Sequence, residues 1–214
     1  LLGSGDREHP FDQLVTNRFY MFKDYNVGTI GSSTTVTAYA ESDLYDATSN
    51  CLSTCTGASL DSAQKTLLNG KGWYMTLSNA GEKTIAPATT AAGAVIFNTN
   101  QPKQDAITGT SPNVGPNATG NYCVSDLGTA RQYGLNYQDA TGANLYSALP
   151  AQNRSSDGRS ANFAGGGFLP QPVPVVVDIG GKFYQTVISG VQTTNPGGLT
   201  LQSRVRTYWY RRND

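Results

Sequence analysis

"PATTAAGAVIF" (87–97) and "PVVVDIGGKFY" (174–184) share one frame, and that frame decides the fold. In each, a proline (Pro87, Pro174) is followed six positions later by a glycine (Gly93, Gly180). Four positions further on stands an aromatic residue (Phe97, Tyr184). Each frame reads as strand, tight turn, strand. Gly180-Gly181 joins two β-rich runs, and the favoured two-residue hairpin turns need positive φ. The frames are 87 residues apart, about two units of the ~40–50 residues expected for propeller blades. A further strand follows each copy: "ARQYGLNYQDATG" (130–142), running into an Asx/Thr-Gly turn, and "LQSRVRTYWYRR" (201–212).

Other runs fit the same template. "NRFYMFKDY" (17–25) is aromatic on both faces and reads as a strand buried on both sides. "KGWYMTLS" (71–78), "AVIFNT" (94–99), "PVPVVVDI" (172–179) and "KFYQTVIS" (182–189) are further strands. "LLGSGD" (1–6) resembles the second strand of a blade and "NRFYMFKD" (17–24) the third. The chain therefore reads as starting inside a blade. One helix is expected over 59–70, with Leu60, Ala63, Leu67 and Leu68 as its apolar stripe and Ser59 as its cap. A shorter helical turn fits 42–46. The stretches 100–120 and 151–167 read as long polar loops.

The expected fold is all-β: one domain over residues 1–214, made of several antiparallel four-stranded blades with one or two short helices. It reads as the C-terminal part of a β-propeller, since 214 residues hold only about four blades of this period. An unclosed ring would leave bare sheet edges, so the ring is expected to be completed by residues N-terminal to this chain.

Composition narrows the function. Lys plus Arg and Asp plus Glu both number 15, so the net charge is zero. Nucleic acid is not an expected partner, because phosphate binding needs an excess of cations. No apolar run approaches the roughly 18 residues of a membrane helix. Of three cysteines, Cys51 and Cys55 lie in a small polar loop. They lack the second pair that a zinc ribbon needs and the spacing of a redox motif. The pair reads as a local disulfide of an oxidising compartment, or else as two unpaired thiols. Cys123 is left to pair outside the chain or to remain free.

The candidates for chemistry are thin. "DREH" (6–9) holds the sole histidine, His9. One histidine cannot build a two-histidine metal site, and "GSGD" (3–6) lacks the nucleophile-elbow pattern. Asp6 and Arg7 read instead as fastening the strand end to neighbouring backbone. "DLYDATSN" (43–50) and "NTNQPKQD" (98–105) lack the alternation and glycine of a calcium loop and read as solvated polar loops. Arg204, Arg206, Tyr208 and Tyr210 share a strand face and read as packing along a blade rather than stacking on bases. Trp73 and Trp209 could line a sugar platform, but tryptophan on a strand is more often core. Asn117 and Asn153 head glycosylation sequons, relevant only to a secreted eukaryotic chain. No catalytic, cofactor-binding or metal residue is expected.

Several blocks resemble the C-terminal domain of the PilC/PilY family, the tip-associated adhesins and assembly factors of bacterial type IV pili. They are "GSGDREHP" with "NRFYMFKD", "ESDLYDAT", "GKGWYMTLSNAGEKTIAPATTAAGAVIFNTNQP", and Cys123 ahead of "YGLNYQDATG". The resemblance runs from Gly3 to Gly142 and more loosely beyond. Its most specific stretch runs from Gly72-Trp73-Tyr74 through Gly81-Glu82 to Ile96-Phe97. It implies a modified propeller that supports pilus extension, surface adhesion and twitching motility at the pilus tip, outside the cell after export through the periplasm. Implied partners are minor pilins of the tip complex and a host-cell or abiotic surface. It implies no cofactor within this chain; calcium is a candidate only for the propeller N-terminal to it. Two other functions fit the fold: a quinoprotein-like dehydrogenase and a carbohydrate-binding lectin. The first needs a quinone-stacking tryptophan, an acid and a cation site converging at the ring centre. The second needs a pocket repeated in each blade.

Overall fold

The computed structural model describes residues 1–25, 38–102, 127–163, 166–180, 182–190 and 192–194. Cys123, Asn117, Trp209 and the strand expected over 203–212, with its arginines and tyrosines, lie outside them. The described chain is all-β apart from short helices and forms three sheets.

The first sheet holds β1 (Leu2–Gly3), β2 (Arg18–Phe22), β3 (Tyr45–Asp46) and β4 (Gly72–Thr76), in the order β1-β2-β4-β3. β2 pairs antiparallel with β1 and β4, whereas β3 runs parallel to β4. A parallel pair needs a long crossover. Helices α1 (Cys51–Thr54) and α2 (Gly57–Asn69) supply it. This sheet therefore departs from the purely antiparallel blade expected from sequence. α2 begins two residues before the expected start, with Thr56 rather than Ser59 at its N-cap. Ala63 and Leu67 pack on the core, but Leu68 is 74% exposed; it lies one residue past Leu67, off the apolar stripe. The turn expected over 42–46 is a 3-10 turn at Glu41–Asp43 that passes directly into β3.

The second sheet is built around β7 (Ala94–Gln101) and β8 (Thr129–Asn136). β5 (Lys83–Thr84) and β6 (Thr89–Ala91) share the free side of β7, and β9 (Ser160–Phe163) pairs with β8. Strands β6, β7, β8 and β9 form an antiparallel meander in chain order. The third sheet is β10 (Val173–Ile179), β11 (Lys182–Ser189) and β12 (Gln192–Thr194), also antiparallel.

Both copies of the sequence frame are hairpins, but their registers differ by one residue. Ala91 pairs with Ala94, so Gly93 is the second turn residue. Ala92 and Gly93 both have positive φ (46° and 84°), as a mirror-image two-residue turn requires. Ile179 pairs with Lys182, so Gly180 is the first turn residue. A one-residue shift sends a side chain to the opposite face. Phe97 is 0% exposed, whereas Tyr184 and Phe183, on opposite faces of β11, are 52% and 67% exposed, because this end of the β10–β11 hairpin stands clear of the core on both faces.

The three sheets stack face to face with the second in the middle. Val95, Phe97, Tyr133 and Leu135 on one of its faces meet Phe19, Met21, Trp73 and Met75 of the first sheet. Phe19 stacks on Phe97 across this interface, centroids 3.8 Å apart, and Phe97 stacks on its strand partner Tyr133 at 4.9 Å. Such ring pairs add about 0.5–1.5 kcal/mol each beyond burial. On the opposite face, Ala94, Ile96 and Ala161 meet Val187 of the third sheet, with Leu145 and Tyr146 filling the interface.

The aromatic run 17–25 is not buried on both sides. Phe19 and Met21 enter the core, while Arg18, Tyr20 and Phe22 lie on the outer face. There the Arg18 guanidinium sits over the Tyr74 ring, and the Tyr20 hydroxyl donates to Glu41.

Candidate functional site

Polar side chains buried within the stack hold the loops that join the sheets. Glu82 is fully buried. Its Oε1 accepts from Thr99 Oγ1 (2.6 Å) and the Tyr133 hydroxyl (3.1 Å). Its Oε2 accepts from Arg131 Nη1 (2.8 Å) and Asn79 Nδ2. Asn17 Nδ2 donates to the Glu82 carbonyl, which ties in the segment before β2. Burial disfavours charge on the Arg131 guanidinium, but the Glu82 carboxylate outweighs it and raises the pKa. Tyr133 is pushed up by burial first and by Glu82 second. All four donors to this carboxylate belong to the protein itself, so it serves as a structural acceptor.

Lys83 reaches the other way. Its Nζ donates to the carbonyls of His9 and Asp12, both at 2.8 Å, pinning the loop that leaves β1. Burial lowers its pKa, against the pull of Asp12 and Asp6. Between the second and third sheets, Asn98 Nδ2 donates to the Pro170 carbonyl and to Ser189 Oγ. Gln132 Nε2 donates to Ser189 Oγ at 2.6 Å. Asn100 Nδ2 holds the carbonyls of Leu127 and Gly167. Thr89 Oγ1 donates to the Pro172 carbonyl at 2.7 Å.

The segments so anchored converge. A cleft of about 450 Å³ opens between the loop after β1 (Arg7, Pro10), the strand connection after β5 (Ile85, Pro87) and the approach to β10 (Phe168, Pro170). Each of the three sheets contributes one wall. Phe11 and Phe168 meet edge to face, centroids 6.1 Å apart, beside it. The cleft falls where the connecting loops of a stacked-sheet fold gather.

The residues singled out in the sequence fall as follows. Asp6 Oδ1 accepts the backbone N–H groups of Glu8 and His9, and its Oδ2 meets His9 Nδ1 at 2.8 Å. The histidine contact and these N–H groups hold the Asp6 carboxyl below its usual value. The group is an exposed turn. Asp6 does not fasten the strand end to neighbouring backbone, because its partners are within its own loop. Arg7 makes no such bond among the described residues; it lines the cleft. Trp73 is buried, its Nε1 donating to the Tyr137 carbonyl, so it offers no platform for a sugar or quinone ring. The stretch 98–105, expected to be a solvated loop, begins as strand. Asn98 and Asn100 are buried within β7 because each satisfies a loop backbone group. Leu44, Tyr45, Ala47 and Asn50 of 43–50 are buried as well. Among the described residues no three His, Cys, Asp or Glu side chains converge as a metal site.

Cys51 and Cys55 are joined by a disulfide, Cα atoms 4.7 Å apart, across the short helix α1. Asn153 lies in an exposed 3-10 turn, Ala151–Asn153. No helix among the described residues is long and apolar enough to cross a membrane.

Nothing in the sequence marks Glu82, Arg131, Asn98 and Gln132 as buried anchors. Polar residues of no special spacing carry no signal until a fold brings their partners together.

No family model and no curated protein matches the sequence. Among solved structures, the chain is similar to the C-terminal domain of Pseudomonas aeruginosa PilY1, with a TM-score of 0.54 and 11% identity. The match covers 92% of this chain and 41% of that one. At that identity the likeness is one of fold. This chain spans less than half of the length of the domain it matches.

Proposed function

We propose that this chain belongs to a non-enzymatic protein of the type IV pilus tip, which supports pilus assembly and extension, surface adhesion and twitching motility. The observation that carries the reading is the fold shared with the PilY1 C-terminal domain over 92% of the chain. The sequence blocks quoted above point the same way independently. Two features of the chain support an exported, protein-contacting role. One is the Cys51–Cys55 disulfide, a bond that persists in oxidising compartments. The other is the cleft formed where loops of three sheets meet, a surface suited to a protein partner such as a minor pilin. The burial of Trp73 removes the aromatic platform that the dehydrogenase and lectin alternatives would need from this residue.

Deleting the gene in its host and complementing it in trans tests the reading. Loss of sheared surface pili and of the twitching zone, both restored by the complementing copy, is expected. Full piliation and unchanged twitching in the deletion strain would overturn it.

A further inference from the structure

The cleft between the three sheets has a chemistry of its own. Its walls carry three prolines and the apolar side chains of Ile85, Phe168 and Leu169, together with polar Gln171 and a single charged residue, Arg7. Arg7 makes no hydrogen bond or ion pair among the described residues. The nearby carboxylates do not answer it. Asp6 is engaged by His9 and by two backbone N–H groups, and Glu8 does not line the cleft. An unpaired guanidinium beside apolar side chains is a receptor for a carboxylate that carries apolar surface next to it.

The cleft is also formed in advance. Its volume of about 450 Å³ falls within the ~300–1,000 Å³ of built ligand sites. Lys83 fixes the carbonyls of His9 and Asp12 on one wall, and Asn98 and Thr89 fix those of Pro170 and Pro172 on another. Pro10, Pro87 and Pro170 limit what the walls can do when empty. Little ordering remains to oppose binding.

We propose that this cleft docks an extended acidic–apolar peptide segment of a partner protein. The Asp or Glu side chain of the segment sits on Arg7, and the apolar residue beside it rests against Pro87, Pro170 and Phe168. The proposal deepens the protein-contact reading above and rests on it.

The test is fluorescence anisotropy of the full chain with a fluorescein-labelled, C-amidated peptide, Gly-Pro-Val-Glu-Val-Pro-Gly, and its Gln counterpart. Saturable binding of the Glu peptide is expected, about tenfold tighter than that of the Gln peptide, the scale of one charge-assisted contact. Arg7→Ala, at an exposed position, should erase that difference while leaving near-ultraviolet circular dichroism unchanged. Ala86→Trp, which fills the cleft, should abolish binding of both peptides. Absence of saturation up to about 1 mM peptide, a binding energy near 4 kcal/mol, would overturn the proposal. So would equal binding of Glu and Gln peptides, or an Arg7→Ala variant that still prefers the Glu peptide. The pilus reading fails separately. Loss of pili on deletion with no peptide binding removes only the cleft assignment, and peptide binding with normal piliation removes only the pilus role.

Discussion

Replacing Glu82 by Ala should cost about 4 kcal/mol of folding free energy, the scale of a broken buried ion pair. The side chain is fully buried, and the Arg131 guanidinium facing it is only 13% exposed. After the substitution Arg131 keeps the bond from its Nε to Asn162 Oδ1 but loses its counter-charge. An uncompensated buried charge costs about 3–5 kcal/mol. The Tyr133 hydroxyl loses its acceptor too, worth about 1–3 kcal/mol if left unpaired, and Thr99 Oγ1 keeps only the Arg131 carbonyl at 3.5 Å. These terms describe one site and overlap, so they do not sum. Glu82→Gln keeps the shape and loses the charge, and should cost less. Urea unfolding followed by tryptophan fluorescence, with Trp73 as a buried reporter, gives the midpoint and slope. The midpoint should fall with the slope unchanged. The sharper arm is Glu82→Leu with Arg131→Met. Removing both charges should leave the chain more stable than Glu82→Ala alone, since apolar replacements of a buried pair are often neutral. A loss below about 1 kcal/mol for Glu82→Ala, within the ordinary range for unimportant sites, would refute this account of the hub. A double variant no more stable than the single one would do the same.

Three further outcomes are expected. The Cys51–Cys55 bond closes only a short loop (sequence separation 4), so its reduction should lower the stability measured by urea unfolding by only about 2 kcal/mol. Gly72→Ala should lower the melting temperature sharply. Its φ is +142°, and a Cβ there would lie 1.8 Å from the Met21 carbonyl oxygen, for a cost of about 2–4 kcal/mol. The Asp46 carboxyl is raised by burial but held below 3.8 overall by Thr48, Tyr74 and Arg18. Its contribution is therefore present above pH 3.8 and lost as pH falls through the lowered folded value. Urea midpoints measured down this range should fall less steeply for Asp46→Asn than for the wild type.

The sequence frame at Pro87 and Pro174 located both hairpins because glycine in a tight turn is a local requirement. It could not set their registers, since a turn tolerates its glycine at either central position and only packing chooses. Phe97 and Tyr184 occupy the same place in the frame, but Phe97 lies between two packed sheets and Tyr184 on a hairpin end exposed on both faces, which no local pattern reveals. β9 was hidden in the polar stretch 151–167. "SANF" has little strand character, and it pairs because β8 offers an open edge. β3 was equally silent, two residues whose parallel pairing depends on the α1–α2 crossover. The buried Asn98, Asn100 and Gln132 look like surface residues in a one-dimensional reading. They are inside because their amides satisfy loop backbone and one another. The cleft inherits this opacity. Arg7 drew notice as part of a charged cluster, but its wall partners at 85–87 and 168–170 are brought to it only by the stacking of the three sheets.

The central claim is that the chain works at the tip of a type IV pilus. Immunogold labelling of sheared pili, with antibody raised against residues 1–214, tests it most directly. Gold is predicted at the distal ends of individual fibres in the wild type and nowhere in the deletion strain. Gold absent from pili, or spread along their shafts, would contradict it.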